Sequence, residues 1–206
     1  MTATSEAERP WRFIGSKRAY TGRVTIATHS VELPGGQEIE FEVDESIPFA
    51  VAVLVIEGDS IVLARQYRYP LDRWIYDLPG GAGEQGEEPM AAAARECREE
   101  LGLDPTDLRP LHIFFPNPGR SAWPVHLYSA HSTVEAEPES ADPAEQVATV
   151  RLPLGQLDAM IANGDIVDPS LLIARLAASV HGLLPAVGAT ALSARPAAQG
   201  RIVPPT

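Results

Sequence analysis

Apolar or alternating runs recur along the chain at residues 20–31 (YTGRVTIATHSV), 37–43 (QEIEFEV), 49–56 (FAVAVLVI), 60–65 (SIVLAR), 111–115 (LHIFF), 125–130 (VHLYSA) and 147–152 (VATVRL), separated by Gly, Pro and Asp. Short runs rich in β-branched and aromatic residues predict strands. The sequence EGD at 57–59 predicts a hairpin turn between two of them. Three segments instead carry helical periodicity: 89–101, 154–163 and 169 to about 181. The first has proline at its start and Gly102 just past its end, the usual start and stop signals. In it, Met90, Ala94, Cys97 and Leu101 are expected to face the core. These elements predict a strand-rich α/β (α+β) domain over 45–184, preceded by a strand-forming segment at 11–44. Residues 1–10 and the Ala/Pro-rich stretch 185–206 are expected to be flexible.

Composition narrows the function classes. The 206 residues are 45% apolar and 21% charged, enough for a real core. A net charge of −12 argues against a protein built to grip nucleic-acid phosphates, which needs clustered Lys and Arg. The one cysteine, Cys97, excludes an intramolecular disulfide framework and a cysteine-cluster zinc site, and fits a reducing compartment. No apolar run is long enough to span a bilayer and the N-terminus has no leader pattern, so a soluble, cytoplasmic protein without a membrane partner is expected.

The chemistry concentrates on the first helix. Glu96, Glu99 and Glu100 stand at i, i+3 and i+4, so their carboxylates leave one side of its last turns, with Glu87 and Glu88 near its start. Like charges at that spacing repel, and acids at a helix C-terminus oppose the macrodipole, each at a cost of a few tenths of a kcal/mol. Two readings follow. The cluster is either a solvated acidic face, partly balanced by Arg95 and Arg98, or a set of oxygen ligands for a hard divalent cation.

The whole segment 81–103, GAGEQGEEPMAAAARECREELGL, decides between them. It resembles the Nudix box, G-x5-E-x7-R-E-U-x-E-E-x-G-U with U a bulky apolar residue. Gly81, Glu87, Arg95, Glu96, Glu99, Glu100 and Gly102 all fall in register. Seven such identities arise by chance on the order of once in 10⁸ windows. Cys97 takes the first U position as a small core hydrophobe. The same loop also satisfies G-x-G-x-x-G at 81–86, but Glu84, Glu87 and Glu88 would repel a bare pyrophosphate, which disfavours a dinucleotide site. No P-loop or H-E-x-x-H is present, and the histidines at 29, 112, 126, 131 and 181 are scattered.

Flanking residues point to a branch of that family. VLARQYRYPLDRWIYDLPGG (62–81) is similar to the run ending Glu-Leu-Pro-Ala-Gly in ADP-ribose pyrophosphatases and related nucleoside-diphosphate-sugar hydrolases, with Asp77 and Gly80 in place of the usual Glu and Ala. Pro118, sixteen residues after Gly102, falls near that branch's characteristic proline. Trp123 stands about where the branch's Pro-Gly loop often ends in an acid, and residues 144–176 resemble its closing strand and helices.

The resemblance implies a Nudix-type α/β/α sandwich with a mixed sheet, and Mg²⁺-dependent hydrolysis of ADP-ribose to AMP and ribose 5-phosphate. It implies Glu96, Glu99 and Glu100 as metal carboxylates (Mn²⁺ being a possible substitute), with the Gly80 carbonyl completing a shell and Glu87 orienting Arg95 or a metal-bound water. Without metal, the clustered carboxylates are expected to have raised pKa values. The general base implied is Glu145, in the acidic loop 134–146, with Glu99 as fallback; a solvated acidic loop is the alternative.

Arg65 and Arg68 are candidates for phosphate contacts or for pairing with Asp72 or Asp77. Trp11, Tyr20 and Trp74 are candidates for stacking on a base or for core packing. The branch also implies a homodimer built through residues 11–43. Two alternatives stand beside ADP-ribose hydrolysis. One is the same chemistry on another sugar nucleotide such as GDP-mannose. The other is a sensor that binds ADP-ribose without cleaving it, although sensors commonly lose box glutamates that this chain keeps.

Overall fold

The computed structural model describes residues 9–131, 133–136 and 147–187. Most of both chain ends and Glu145 lie outside the described residues, so the expectations placed on them are not addressed by it.

The chain forms two compact units. One comprises residues up to Pro48 together with Phe115–Pro124, and the other runs through Phe49–Phe114 and from Val125 onward. The first unit is an antiparallel meander of β1 (Arg12–Thr21), β2 (Thr25–Glu32) and β3 (Glu38–Asp44). The run at 20–31, expected as one strand, is broken because the chain reverses at Gly22, whose N–H reaches the Val24 carbonyl at 2.9 Å. The returning segment is held to β3 by the Asp44 N–H on the Arg120 carbonyl, 2.7 Å.

The second unit is built on a seven-stranded mixed sheet. Its main path runs β12 (Val147–Pro153), β5 (Ser60–Arg68), β4 (Ala50–Glu57), β10 (Val125–Ala130), β9 (Arg109–Phe114). The β4–β10 pair is parallel and the other pairs are antiparallel. The 57–59 turn forms as expected, with Gly58 at φ 62°. Beyond it β4 and β5 pair only from Val55 to Glu57 against Ser60 to Val62, and then splay. Two strands not anticipated from the sequence fill that fork. β6 (Arg73–Asp77) pairs with β5, and β7 (Gly80–Ala82) pairs with β4. Their connection brings the 77–82 backbone into the middle of the sheet.

The three helices have the bounds read from the sequence to within a residue: α1 (Pro89–Leu101), α2 (Leu154–Asn163) and α3 (Pro169–Val180). Helix α1 packs against β4, β5, β7, β10 and β12, and α3 against β4, β9 and β10. Val51, Val53, Val55, Val62, Ala64, Tyr128 and Ala130 share one core cluster with Ala92, Ala93, Cys97 and Leu101 of α1. Strand alternation turns Ala52, Leu54, Ile56 and Leu127 to the reverse face, where they are buried too. Burial of such side chains contributes about 1.5–3 kcal/mol each. The layering is the expected mixed-sheet arrangement with helices on both faces. A ribbon of β8 (Leu103–Pro105) and β11 (Thr133–Glu135), also unanticipated, follows α1.

The core stripe of α1 differs from expectation. Met90 is exposed and Ala94 half-buried, whereas Ala92, Ala93, Glu96, Cys97 and Leu101 are buried. Four successive alanines at 91–94 carry no helical phase, so the stripe could not be set by them. Ala92 and Ala93 allow a close approach to the sheet, and Glu96 shares their face.

Candidate active site

Glycine allows the site's close packing. An ideal Cβ on Gly80 would stand 2.2 Å from the Val51 carbonyl oxygen, so β7 can lie against β4 there only without a side chain. At Gly81 a Cβ would meet the Glu96 carboxylate at 2.7–2.9 Å. The α1 carboxylate therefore occupies the place that a side chain at 81 would fill. Glu100 reaches the same strand, its Oε2 accepting the Gly80 N–H at 2.9 Å. Gly102, at φ 64°, ends the helix in the left-handed conformation, its N–H returning to the Arg98 carbonyl.

Arg95 organises the acids. Its Nε meets Glu87 Oε1 at 3.1 Å, its Nη1 meets Glu96 Oε1 at 2.8 Å and Glu99 Oε2 at 2.9 Å, and its Nη2 reaches the Ala82 carbonyl at 3.2 Å. One guanidinium thus joins both ends of the box to β7. The Glu87 hydrogen bond, then the Glu96 and Glu99 charges, raise the Arg95 pKa against the opposing effect of burial. Glu87 departs from the expected rise. Its carboxyl is held below the usual range by Arg95 first and by the Glu84 N–H second. Arg98 pairs instead with Asp104 at 2.9 Å. Cys97 is fully buried, as expected of a core residue, and burial and then the Glu100 and Glu96 charges push its thiol up to about 12.

These side chains suit a hard cation by chemistry, being carboxylate oxygens gathered within one turn of α1 beside a backbone strand. Among the described residues, no three carboxylate, histidine or cysteine groups form a ready-made metal cage. Arg95 now takes the hydrogen bonds of Glu96 and Glu99.

The remaining candidates divide. Arg68 pairs with Asp77 rather than Asp72, through Nε at 3.0 Å and Nη2 at 2.6 Å. Asp72 instead accepts the Tyr67 hydroxyl at 2.6 Å. Arg65 lies over the Trp74 ring, 4.9 Å from its centroid, and Tyr67 meets that ring edge-on. Trp74, Trp11 and Tyr20 are all exposed rather than packed in a core, and Trp11 meets Phe41 in an edge-type contact. Pro118 belongs to the other compact unit and is exposed.

Two acids, Asp77 buried and Asp168 half-buried, were missed as site residues. Asp77, almost fully buried, accepts Arg68 and Gln66, yet burial still raises its pKa. Asp168 caps α3 through the Leu171 N–H and is pushed up to about 6, by burial first, with Asp77 adding to the rise and Arg68 opposing it. For Asp77 a signal existed: an acid alternating onto the same face as Ile75 in RWIYD.

Residues 47–172 match the family model for the NUDIX domain, and the chain belongs to the Nudix family. It is a Nudix pyrophosphohydrolase of the ADP-ribose-pyrophosphatase-like branch. It is 34% identical over 164 residues to a methanol dehydrogenase activator from Bacillus methanolicus, covering 78% of this chain and 88% of the relative. It is 31% identical over 158 residues to the ADP-ribose pyrophosphatase of Bacillus subtilis, covering 75% and 85%. A crystal structure of an ADP compounds hydrolase superposes with a TM-score of 0.74 at 22% identity, over 87% of this chain and 97% of that one, which shows the shared fold. Among the described residues no helix is long and apolar enough to cross a membrane.

Proposed function

We propose that the protein hydrolyses the diphosphate bond of ADP-ribose to AMP and ribose 5-phosphate, with Mg²⁺ or Mn²⁺ as cofactor. The observation that carries this reading is the Arg95-centred array that gathers Glu87, Glu96 and Glu99 against β7, with Glu100 on Gly80. Glu96, Glu99, Glu100 and the Gly80 carbonyl are the groups that would hold the cation. A bound divalent cation offsets the charge of the diphosphate and lowers the pKa of a coordinated water.

The chain's own residues do the rest. Arg95 fixes the carboxylate rotamers, and Glu87 holds Arg95 in turn, as outer partners do around metal ligands. Arg65 and Arg68 supply guanidinium donors for phosphate oxygens, and Trp74 and Pro118 contact the nucleoside or sugar. Glu145 takes the proton of the attacking water, with Glu99 as the fallback base. The working form is a cytoplasmic homodimer joined through the β1–β3 segment, acting on a small nucleoside diphosphate sugar rather than on nucleic acid.

Turnover of ADP-ribose, GDP-mannose, UDP-glucose and NADH by purified protein, with and without Mg²⁺, tests the reading. ADP-ribose is expected to be cleaved fastest, and only with the cation. Preference for another sugar nucleotide would replace the substrate but keep the chemistry. Binding of ADP-ribose without cleavage of anything would make the protein a sensor.

A further inference from the structure

Asp77 is only 3% exposed, and every hydrogen bond it makes among the described residues converges on one oxygen, Oδ2. Gln66 Nε2 donates to it at 2.9 Å, Arg68 Nε at 3.0 Å and Arg68 Nη2 at 2.6 Å. The other oxygen, Oδ1, is buried with no hydrogen-bond partner among the described residues. A buried carboxylate left half-satisfied is costly, so it calls for an explanation other than packing.

The geometry of Arg68 supplies one. A guanidinium has two edges able to bind an oxyanion in parallel, the Nε/Nη2 side and the Nη1/Nη2 end. Asp77 occupies the side edge. The end edge has no hydrogen-bond partner among the described residues, Asp168 feels the Arg68 charge without bonding it, and the Arg68 side chain is 46% exposed. Only Leu78 and Pro79 separate Asp77 from Gly80, whose N–H is bonded by Glu100, and such a step spans at most about 10 Å. The brace on Arg68 and the strand that meets Glu100 thus lie on one short stretch of backbone.

We infer that Asp77, braced by Gln66, is a positioning residue that locks Arg68 with its end edge turned outward to take a diphosphate oxygen pair. The inference rests on the reading above that Arg68 meets substrate. Holding the guanidinium in advance removes rotamer entropy that binding would otherwise cost.

A double-mutant cycle tests it. Asp77→Ala and Arg68→Ala are each expected to raise KM for the diphosphate sugar at least tenfold with kcat changed less than threefold. The double variant should be no worse than Arg68→Ala alone, and Asp77→Glu should recover KM to within about threefold of the parent. If Asp77→Ala does not fold, Asp77→Asn replaces it in the same cycle, with a smaller rise in the same direction. Additive effects, or a fall in kcat with KM unchanged, would overturn the positioning role. If the parent protein cleaves no diphosphate sugar, the proposed function fails on its own. The cycle is then read on the Kd for inorganic pyrophosphate, where non-additivity supports the inference and additivity or absence of binding overturns it.

Discussion

Helices α1 and α3 both start with proline after an acid and both pack on the central sheet, yet they handle charge in opposite ways. On α3, Arg175 is 1% exposed and makes a two-pronged pair with Asp158 of α2, 2.8 Å at each contact. That pair is self-contained, one cation with one anion, and the Asp168 cap bonds the Leu171 N–H. On α1, one guanidinium serves three glutamates and a carbonyl, and the Glu88 cap makes no side-chain hydrogen bond. The box carries six acids against two bases, and one of those bases, Arg98, is taken by Asp104. One helix carries a balanced, buried ion pair; the other carries more acids than bases, in keeping with the cation site proposed above.

The contrast breaks most readily at the balanced end. Asp158→Ala strands the buried Arg175 charge, whose Nη1 already has no hydrogen-bond partner among the described residues, and should cost about 3 kcal/mol in a denaturant melt. A loss under about 1 kcal/mol would show that the pair fastens nothing.

The two adjacent glycines should separate stability from activity. The nearest atoms to a Gly81→Ala methyl are the movable end of Glu96, so the fold should survive with activity down about a hundredfold, near 2.7 kcal/mol in the barrier. Gly80→Ala collides with the β4 backbone and should lower the unfolding midpoint instead. The reverse pattern would dissociate Glu96 from the site.

A smaller effect is expected at Asp168. Its folded pKa of about 6 exceeds the ordinary 3.8, so the native state keeps a proton that the unfolded chain has already released. The stability this contributes is complete below 3.8, is lost as pH rises through about 6, and stays lost above it. Asp168→Asn keeps an N-cap acceptor without the charge and should stabilise the protein by about 1 kcal/mol at neutral pH, with no gain at pH 4. Melts at the two pH values decide this. Smallest of all, Cys97 should resist thiol reagents at pH 8 until the protein unfolds, because burial keeps it as the thiol.

How much was legible in the sequence follows the same division. Helix limits were readable because proline and glycine mark them, and the box was readable because its residues from Gly81 to Gly102 fall in register, where the acid spacing alone left a solvated face open. The phase of α1 was not, since alanines at 91–94 hide it. β6 and β7 escaped notice because RWIYD and GGA are too short to be set apart as strands, and they form only where β4 and β5 part. For the same reason, the choice of Asp77 over Asp72 as the partner of Arg68 depended on a pairing register that periodicity does not carry.

The most direct test of the central claim is Mn²⁺ binding by calorimetry, alongside ADP-ribose turnover, in the parent protein and in Glu100→Gln. Saturable binding that turnover follows is expected in the parent. In the variant, affinity should fall at least tenfold and turnover be abolished, while the melting temperature is unchanged. Near-normal metal affinity and turnover in Glu100→Gln would contradict the assignment of the α1 carboxylates as the metal-holding site.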